Sequence, residues 1–132
     1  MEEKLLILED NIRTAALFRR ILSRLEYGAT IYDNAISAKE GFDEIGDAYK
    51  LYLLDMRVPI NSGEDPNYSA GCMIRSYLID KKVDPDKIVL MSNGVSRNDE
   101  VEAERCGIPV GQLRTKRDLT SEVIRELIQR VG

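Results

Sequence analysis

The sequence predicts an α/β fold in which five parallel strands form one sheet with helices on both faces. Short apolar runs alternate with longer segments whose apolar residues recur every three or four positions, as buried strands and amphipathic helices do. The chain has 132 residues and is 43% hydrophobic, which is enough for one domain with its own core. We therefore expect a single domain over residues 1–132.

The first half of the chain is predicted to hold two strand–helix units. Residues 5–8 form a continuous apolar run, which is typical of a strand covered on both faces. Residues 12–26 are predicted as a helix that Gly28 stops. Residues 29–32 are predicted as the second strand and residues 35–45 as the second helix. The apolar positions of the first helix lie at three- and four-residue steps: Ala15, Phe18, Leu22 and Leu25.

Two further units follow the same alternation. The apolar runs 51–54 and 88–91 are predicted as the third and fourth strands. Helices are predicted over residues 71–80 and 98–105. Residues 57–70 are rich in Pro, Asn, Ser, Gly and Asp, so we expect a loop that is long for this architecture.

The last unit completes five strands and five helices. Residues 110–113 are predicted as a short fifth strand and residues 119–130 as the final helix. The apolar stripe of that helix consists of Val123, Ile124, Leu127, Ile128 and Val131. Right-handed crossovers between parallel strands place helices on both faces of the sheet. In such sheets ligands bind at the carboxyl ends of the strands.

Composition excludes several classes of function. The net charge is −4, without a dense basic cluster, so nucleic acid is not an expected ligand. No apolar run is long enough for a membrane span and the N-terminus lacks a signal-peptide pattern, so we expect a cytoplasmic protein. The chain has no histidine, which excludes His-based catalysis and His-containing zinc sites. Cys72 and Cys106 are interpreted as buried structural thiols in preference to redox residues.

Polar side chains stand at the ends of the predicted strands. They are Glu9, Asp10, Asp55, Ser92 and Lys116. Adjacent strands lie about 4.8 Å apart, so these groups can meet in one pocket. Any one of them alone is better explained as a solvated strand end, but the whole set favours a functional site.

The chemistry of that pocket follows from its charges. Crowded carboxylates repel one another unless they are protonated or neutralised by a cation. A hard cation such as Mg²⁺ prefers oxygen ligands and needs only one or two of them from the protein. With the metal bound, Asp55 can act as a nucleophile toward phosphorus, and Lys116 and Ser92 can balance the phosphoryl oxygens.

The sequence resembles the receiver domains of response regulators over essentially the whole chain. The resemblance is carried in order by Leu5-Leu6-Ile7-Leu8-Glu9-Asp10-Asn11, Leu53-Leu54-Asp55-Met56-Arg57-Val58-Pro59, Val89-Leu90-Met91-Ser92 and Lys116. It implies a flavodoxin-like (βα)5 sandwich with strand order 2-1-3-4-5 and no output domain. It also implies that Asp55 is the phospho-acceptor, Ser92 the switch hydroxyl and Lys116 the phosphate partner. The implied Mg²⁺ ligands are Glu9 through water, Asp10, Asp55 and the backbone carbonyl of Arg57.

One departure from the family pattern lies beside the acceptor. Gly71 best matches the glycine that opens the third helix in the family, so residues 60–70 carry an insertion of about eight residues. Glu64 and Asp65 within it either shape partner choice or belong to a loop that is merely tolerated.

Three further departures concern single residues. Asn93 stands where the family prefers a small residue, which would narrow access to the phosphoryl group. Arg117 replaces the proline after the lysine, and a cis bond without proline would cost about 3 kcal/mol, so the aim of Lys116 is less certain. Leu113 replaces the aromatic switch residue, so an aromatic flip cannot be the output.

Two functions remain open at the level of the sequence. The first is a stand-alone receiver, not an enzyme, that takes a phosphoryl group from a sensor histidine kinase or phosphotransfer protein and docks to a downstream protein or a second copy of itself. The second is a pseudo-receiver that binds partners constitutively. A phosphohydrolase of the haloacid dehalogenase type is disfavoured, because Arg57 stands where its second aspartate is needed. Ile124 and Ile128 are either core residues, as wide stripes usually are, or docking residues.

Overall fold

The computed structural model describes residues 3–94, 96–109 and 112–131. The elements in chain order are β1 (Glu3–Leu8), α1 (Ile12–Arg24), β2 (Gly28–Tyr32), α2 (Ala35–Ile45), β3 (Leu51–Asp55), β4 (Val58–Pro59), β5 (Pro66–Asn67), α3 (Ala70–Asp80), β6 (Ile88–Ser92), α4 (Arg97–Arg105), β7 (Leu113–Thr115) and α5 (Ser121–Val131). Short 3-10 turns precede β6, at Pro85–Lys87, and follow β7, at Lys116–Asp118.

The main sheet has five parallel strands in the order β2-β1-β3-β6-β7. Its central register aligns Ile7 with Leu53 and Leu53 with Val89. Since β6 and β7 are the fourth and fifth strands of this sheet, the predicted order 2-1-3-4-5 is confirmed. The order reverses between β1 and β3, so the carboxyl ends of these two strands flank the crevice where ligands bind in such folds.

Side chains that alternate along the strands fill two cores, one on each face. Leu6, Leu8, Leu54 and Leu90 pack against α2 and α3, and Leu5, Ile7, Leu53 and Met91 pack against α1 and α5. Burying each such leucine contributes roughly 2 kcal/mol. Ile124 and Ile128 of α5 are also buried, so they belong to the core and are not docking residues.

Predicted and observed boundaries differ by one or two residues at several elements, including α5, which begins at Ser121 and not at residue 119, and two differences have a clear structural reason. The first helix ends at Arg24, before Glu26 adopts a positive φ of 61°, and Gly28 opens β2 instead of stopping the helix. The fifth strand is Leu113–Thr115, later than the predicted 110–113, of which Val110 and Gly111 lie outside the described residues. Pairing with β6 fixes this register, because Leu113 aligns with Leu90.

The segment predicted as a long loop contains a small antiparallel hairpin. Val58 pairs with Asn67 and Pro59 with Pro66, which forms β4 and β5. The hairpin is joined to the body of the domain at Ile60, whose carbonyl accepts a hydrogen bond of 3.0 Å from the Ile36 amide of α2. The insertion is therefore folded onto the domain.

The two cysteines form a disulfide, so their interpretation as separate structural thiols is wrong. Cys72, in the first turn of α3, is bonded to Cys106, the C-terminal cap of α4. Their Cα atoms are 6.0 Å apart although they are separated by 34 residues in the sequence. Only the packing of α3 beside α4 brings them together, which no local spacing reveals.

Within the described ranges, none of the helices has the length and apolarity needed to cross a bilayer.

Candidate functional site

The predicted acidic residues and the lysine meet at the carboxyl ends of β1 and β3. Lys116 Nζ lies 2.7 Å from Glu9 Oε1 and 2.8 Å from Asp55 Oδ2. All three side chains are almost inaccessible to solvent, at 9%, 0% and 6% of their surface respectively. One ammonium group thus bridges two buried carboxylates from neighbouring strands.

Of the two acidic residues that follow β1, Glu9 is buried inside the domain and Asp10 faces the cleft. Glu9 is buried, and its second carboxylate oxygen accepts a hydrogen bond of 3.1 Å from the Asn11 amide. Asp10 lines an open cleft of about 480 Å³. Burial and the nearby charge of Glu9 raise the pKa of Asp10 above its ordinary value. Asn11 then caps α1 by accepting a hydrogen bond from the Thr14 amide, so α1 begins directly beside the acidic pair.

Asp55 is the last residue of the central strand β3 and is fixed by its surroundings. Its Oδ1 accepts a hydrogen bond of 3.0 Å from the Arg57 amide. Burial raises the pKa of Asp55 to about 7, against the opposing effect of Lys116. A Cβ at Gly71 would lie 2.6 Å from the Asp55 carbonyl oxygen, so only glycine allows α3 to begin this close to the end of β3. The assignment of Gly71 from the sequence is consistent with this contact.

Lys116 reaches the site without the proline that follows the lysine in the family. Strand β7 ends at Thr115, and the 3-10 turn Lys116–Asp118 begins at once, with Arg117 exposed. No cis peptide bond occurs among the described residues. Burial opposes the charge on Lys116, but the hydrogen bonds to Asp55 and Glu9 outweigh it and raise the pKa.

Ser92 ends β6 and lines the same cleft as Asp55, but its hydroxyl is engaged elsewhere. Ser92 Oγ lies 2.8 Å from Asp99 Oδ2 and 3.0 Å from the carbonyl oxygen of Gly94. Asp99 is buried in the first turn of α4, where it also accepts a hydrogen bond from the Ser96 amide in a capping box. The Ser92 hydroxyl is therefore tied to α4 in this structure.

Three carboxylates lie close enough together at this edge of the sheet to fit a hard divalent cation. Glu9, Asp10 and Asp55 each offer an oxygen atom, and these atoms lie within 4.8 Å of one another. Three negative groups with only one ammonium among them leave room for a further positive charge. The donor set consists of oxygen alone, which Mg²⁺ prefers. Arg57, whose backbone carbonyl is the fourth predicted ligand, lines the cleft beside them.

The folded insertion forms the outer wall of the cleft. Pro66 and Tyr68 line it together with Asp55. The Arg57 guanidinium carbon lies 4.6 Å from the centre of the Tyr68 ring, and Arg57 Nη1 donates a hydrogen bond of 3.2 Å to the Tyr68 hydroxyl. Ser69 Oγ donates a hydrogen bond of 3.0 Å to Glu102 of α4. The insertion thus closes one side of the cleft and contacts α4.

Four other residues depart from the family pattern or lie in the insertion, and the structure shows where each of them lies: Glu64, Asp65, Asn93 and Leu113. Glu64 accepts a hydrogen bond of 2.8 Å from the Asn61 amide and so stabilises the hairpin itself, whereas Asp65 is exposed. Asn93 lines the cleft, and its effect on access to the cleft stays a prediction. Leu113 is partly buried and packs against the core on the α2 and α3 side of the sheet.

Sequence reasoning missed Asp99 and Tyr68. Ser96 and Asp99 have the spacing of a capping box, which marks the start of α4 and was a usable signal for a buried carboxylate there. The local sequence does not predict the position of Tyr68, because the contact between its ring and Arg57 depends on the register of the hairpin.

No protein-family model and no curated protein sequence matches the chain. Its structure is similar to the BeF3-activated N-terminal receiver domain of RstA from Klebsiella pneumoniae, with 18% identity, 98% of each chain covered and a TM-score of 0.71. It is similar to the receiver domain of a sensor histidine kinase from Pseudomonas aeruginosa, solved with a magnesium ion in its active-site cleft, with 18% identity, 98% and 97% coverage and a TM-score of 0.70. It is also similar to chemotaxis protein CheY4 from Vibrio cholerae, with 16% identity, complete coverage of both chains at 100% and a TM-score of 0.68. The chain therefore has the CheY-like fold of response-regulator receiver domains.

Proposed function

We propose that this chain is a phospho-accepting receiver domain. In this proposal Asp55 takes a phosphoryl group from the phosphohistidine of a sensor histidine kinase or phosphotransfer protein, in a reaction that depends on Mg²⁺. The phosphorylated domain then signals in the cytoplasm by docking to a downstream protein. It is a stoichiometric acceptor and not an enzyme.

The observation that carries the proposal is the bridge between Lys116, Asp55 and Glu9. A nucleophilic carboxylate stands at the end of a central strand, 2.8 Å from an ammonium group. Removing three charged groups from water costs free energy, which only close pairing offsets. An ion pair at the surface would avoid this cost, so the burial of these three groups favours a functional role over a purely structural one. Positive charge held beside a nucleophile is what phosphoryl transfer requires, because negative charge is carried on the transferred oxygens.

Glu9, Asp10, Asp55 and the backbone carbonyl of Arg57 would hold Mg²⁺. The receiver domain from Pseudomonas aeruginosa, which has the same fold, is described with magnesium in the corresponding cleft. When bound, the cation supplies positive charge that favours the ionised form of Asp55 and balances the phosphoryl oxygens.

The transfer is a simple displacement at phosphorus. One carboxylate oxygen of Asp55 attacks the phosphorus atom, an O–P bond forms, and the P–N bond of the donor breaks with its electron pair returning to the imidazole. The Arg57 amide, 3.0 Å from Asp55 Oδ1, orients the carboxylate, and Lys116 balances the incoming charge.

Phosphorylation would then change the partner of Ser92. Its hydroxyl now donates toward Asp99 or Gly94, and a phosphoryl group on Asp55 offers a charged acceptor in the same cleft. Moving the hydroxyl releases Asp99, which caps α4. A change at α4 is then the signal that a downstream protein reads.

The experiment uses a small phosphodonor. The chain is incubated with acetyl phosphate and Mg²⁺, and intact mass is measured before peptide mapping. We expect an adduct of about 80 Da, one phosphoryl group, on Asp55. It should be absent without Mg²⁺ and absent in Asp55→Asn.

Asp65→Asn is the matched control, because Asp65 is an exposed aspartate of the insertion that does not line the cleft. This variant should be phosphorylated like the unchanged chain. A wild-type chain that never acquires the adduct, even with a cognate kinase, would refute the proposal.

One observation favours a second candidate, the constitutive pseudo-receiver. The Ser92 hydroxyl is already engaged by Asp99, and the other usual switch position is occupied by Leu113, an aliphatic residue partly buried against the core. Amide NMR shifts on adding beryllium fluoride and Mg²⁺ separate the two functions. A switching receiver shows changes that extend along α4, whereas a pseudo-receiver shows changes only at residues that line the cleft.

A further inference from the structure

The disulfide joins the two helices that flank the acceptor cleft. Cys72 follows Gly71, which contacts the acceptor strand through its amide, 3.2 Å from the Met56 carbonyl oxygen. Cys106 caps the C-terminus of α4, whose first turn carries Asp99. One end of α4 is therefore covalently tied to α3, while its other end holds the switch hydroxyl.

A buried arginine lies beside the disulfide. Arg75 is only 7% exposed, and it follows Cys72 by three residues, so the two side chains share a face of α3. Its Nη1 donates a hydrogen bond of 3.4 Å to the Cys106 carbonyl oxygen, and its Nε has no hydrogen-bond partner. Among the described residues it forms no ion pair with a carboxylate.

An uncompensated buried cation has a clear consequence for a neighbouring thiol. A positive charge close by favours the thiolate, which is the form that attacks disulfides. Glu102 also lies near, 4.0 Å from Cys106 Sγ, but Ser69 and Arg105 already bind its carboxylate. The environment of the cysteines therefore suits reversible exchange better than an inert pair of thiols.

We propose that Cys72 and Cys106 form a reversible redox site that controls the mobility of α4. Oxidation proceeds by exchange with a disulfide of low molecular weight, such as oxidised glutathione. The half-buried Cys106 attacks first as thiolate and expels one thiolate of the donor, and Cys72 then attacks the mixed disulfide and expels the second. Two thiols of the protein are oxidised by two electrons, and one donor disulfide is reduced to two thiols.

The regulatory consequence rests on the proposed receiver function. Ser92 can turn toward a phosphorylated Asp55 only if its contact with Asp99 is released, and the disulfide restrains the helix that carries Asp99. Oxidation should therefore disfavour the activated state, and reduction should favour it. Coupling between two such sites is typically worth a factor of 5 to 150, roughly, so we expect about a tenfold effect.

The redox chemistry is tested first, by counting thiols. The full chain is equilibrated with mixtures of reduced and oxidised glutathione, alkylated, and weighed by mass spectrometry. We expect two alkylated cysteines in the reduced protein, none in the oxidised protein, and a smooth reversible transition between them. Arg75→Gln should slow oxidation several-fold, and Arg75→Lys, which keeps the charge, should restore it. Thiols that never pair, or a disulfide that resists reduction in the folded protein, would overturn the proposal.

The coupling is tested with beryllium fluoride and Mg²⁺ as the probe. We expect the reduced chain to bind about tenfold more tightly than the oxidised chain. The double variant Cys72→Ser with Cys106→Ser should bind like the reduced chain under both conditions. Equal affinities in the two redox states would refute the coupling.

Failure of the receiver function itself gives a different result. If neither redox state binds beryllium fluoride, the proposed phosphorylation is wrong, but hydrogen exchange of the α4 amides still reports the restraint. Slower exchange in the oxidised chain supports the redox site, and identical exchange in both states overturns it.

Discussion

Replacing Lys116 with methionine tests whether the buried charge cluster is arranged as described. Lys116 is the only cation in contact with Glu9 and Asp55 among the described residues, and all three side chains are nearly inaccessible. Methionine fills similar space without charge, which leaves two buried carboxylates facing each other. Breaking a buried ion pair from one side costs about 3–5 kcal/mol. We therefore expect Lys116→Met to lower the free energy of unfolding by about 3 kcal/mol in Mg²⁺-free buffer at neutral pH.

Mg²⁺ should restore part of that stability. A cation that binds only the folded chain stabilises it by about 1.4 kcal/mol at ten times its dissociation constant. Removing the competing ammonium makes the carboxylates more attractive to the cation, so this gain should be larger in Lys116→Met than in the unchanged chain. Urea unfolding followed by circular dichroism, with and without Mg²⁺, measures both quantities.

Lys87→Met is the matched control. Lys87 lies 3.2 Å from Asp47 in an ion pair whose side chains are 20% and 33% exposed. Solvent screens such a pair, so the loss should stay below about 1 kcal/mol and should not depend on Mg²⁺. Equal losses in the two variants, or a Lys116→Met chain as stable as the unchanged one without Mg²⁺, would refute the reasoning.

Three further variants probe the surroundings of the cleft. Gly71→Ala should lower the free energy of unfolding by about 1–3 kcal/mol, because the added Cβ would meet the backbone at the end of β3. Gly94→Ala is its control: a Cβ there would have no atom within 4 Å, so the free energy of unfolding should change by less than about 0.5 kcal/mol in the same urea assay. Asp99→Ala should lower the free energy of unfolding by about 1 kcal/mol through loss of the capping box. It should also speed phosphorylation by acetyl phosphate, because it frees the Ser92 hydroxyl. A slower reaction would contradict the proposed restraint on Ser92. Tyr68→Ala should change stability by less than about 1 kcal/mol but open the cleft, so bulky phosphodonors should gain more in rate than acetyl phosphate does.

The sheet and the charged site were predictable because both follow from local patterns. The apolar runs of β1, β3 and β6 mark buried parallel strands, and the residues that end them must then share one edge. Glu9, Asp55 and Lys116 needed nothing beyond this topology to be brought together. Lys116 also reaches Asp55 although Arg117 replaces the usual proline, since the 3-10 turn after β7 directs it.

The features that escaped prediction depend on contacts between distant segments. Cys72 and Cys106 are 34 residues apart and meet only when α3 and α4 pack together. The β4–β5 hairpin contains two prolines and pairs over only two residues of each strand. Strands this short show no alternation of apolar and polar residues from which they could be predicted. The fifth strand is short, and its position is decided by pairing with β6 and not by its own composition.

The charged residues of the site and the residues that form its outer wall lie on different parts of the fold. Asp55 ends the central strand β3 and Glu9 directly follows β1, where most substitutions would disturb the core. Tyr68 and Pro66 sit on an appendage that pairs only with itself in the strand ladders. Such an appendage can drift in sequence at little cost to the scaffold. Substitutions confined to this segment would therefore reshape one wall of the cleft and leave Glu9, Asp55 and Lys116 where they are.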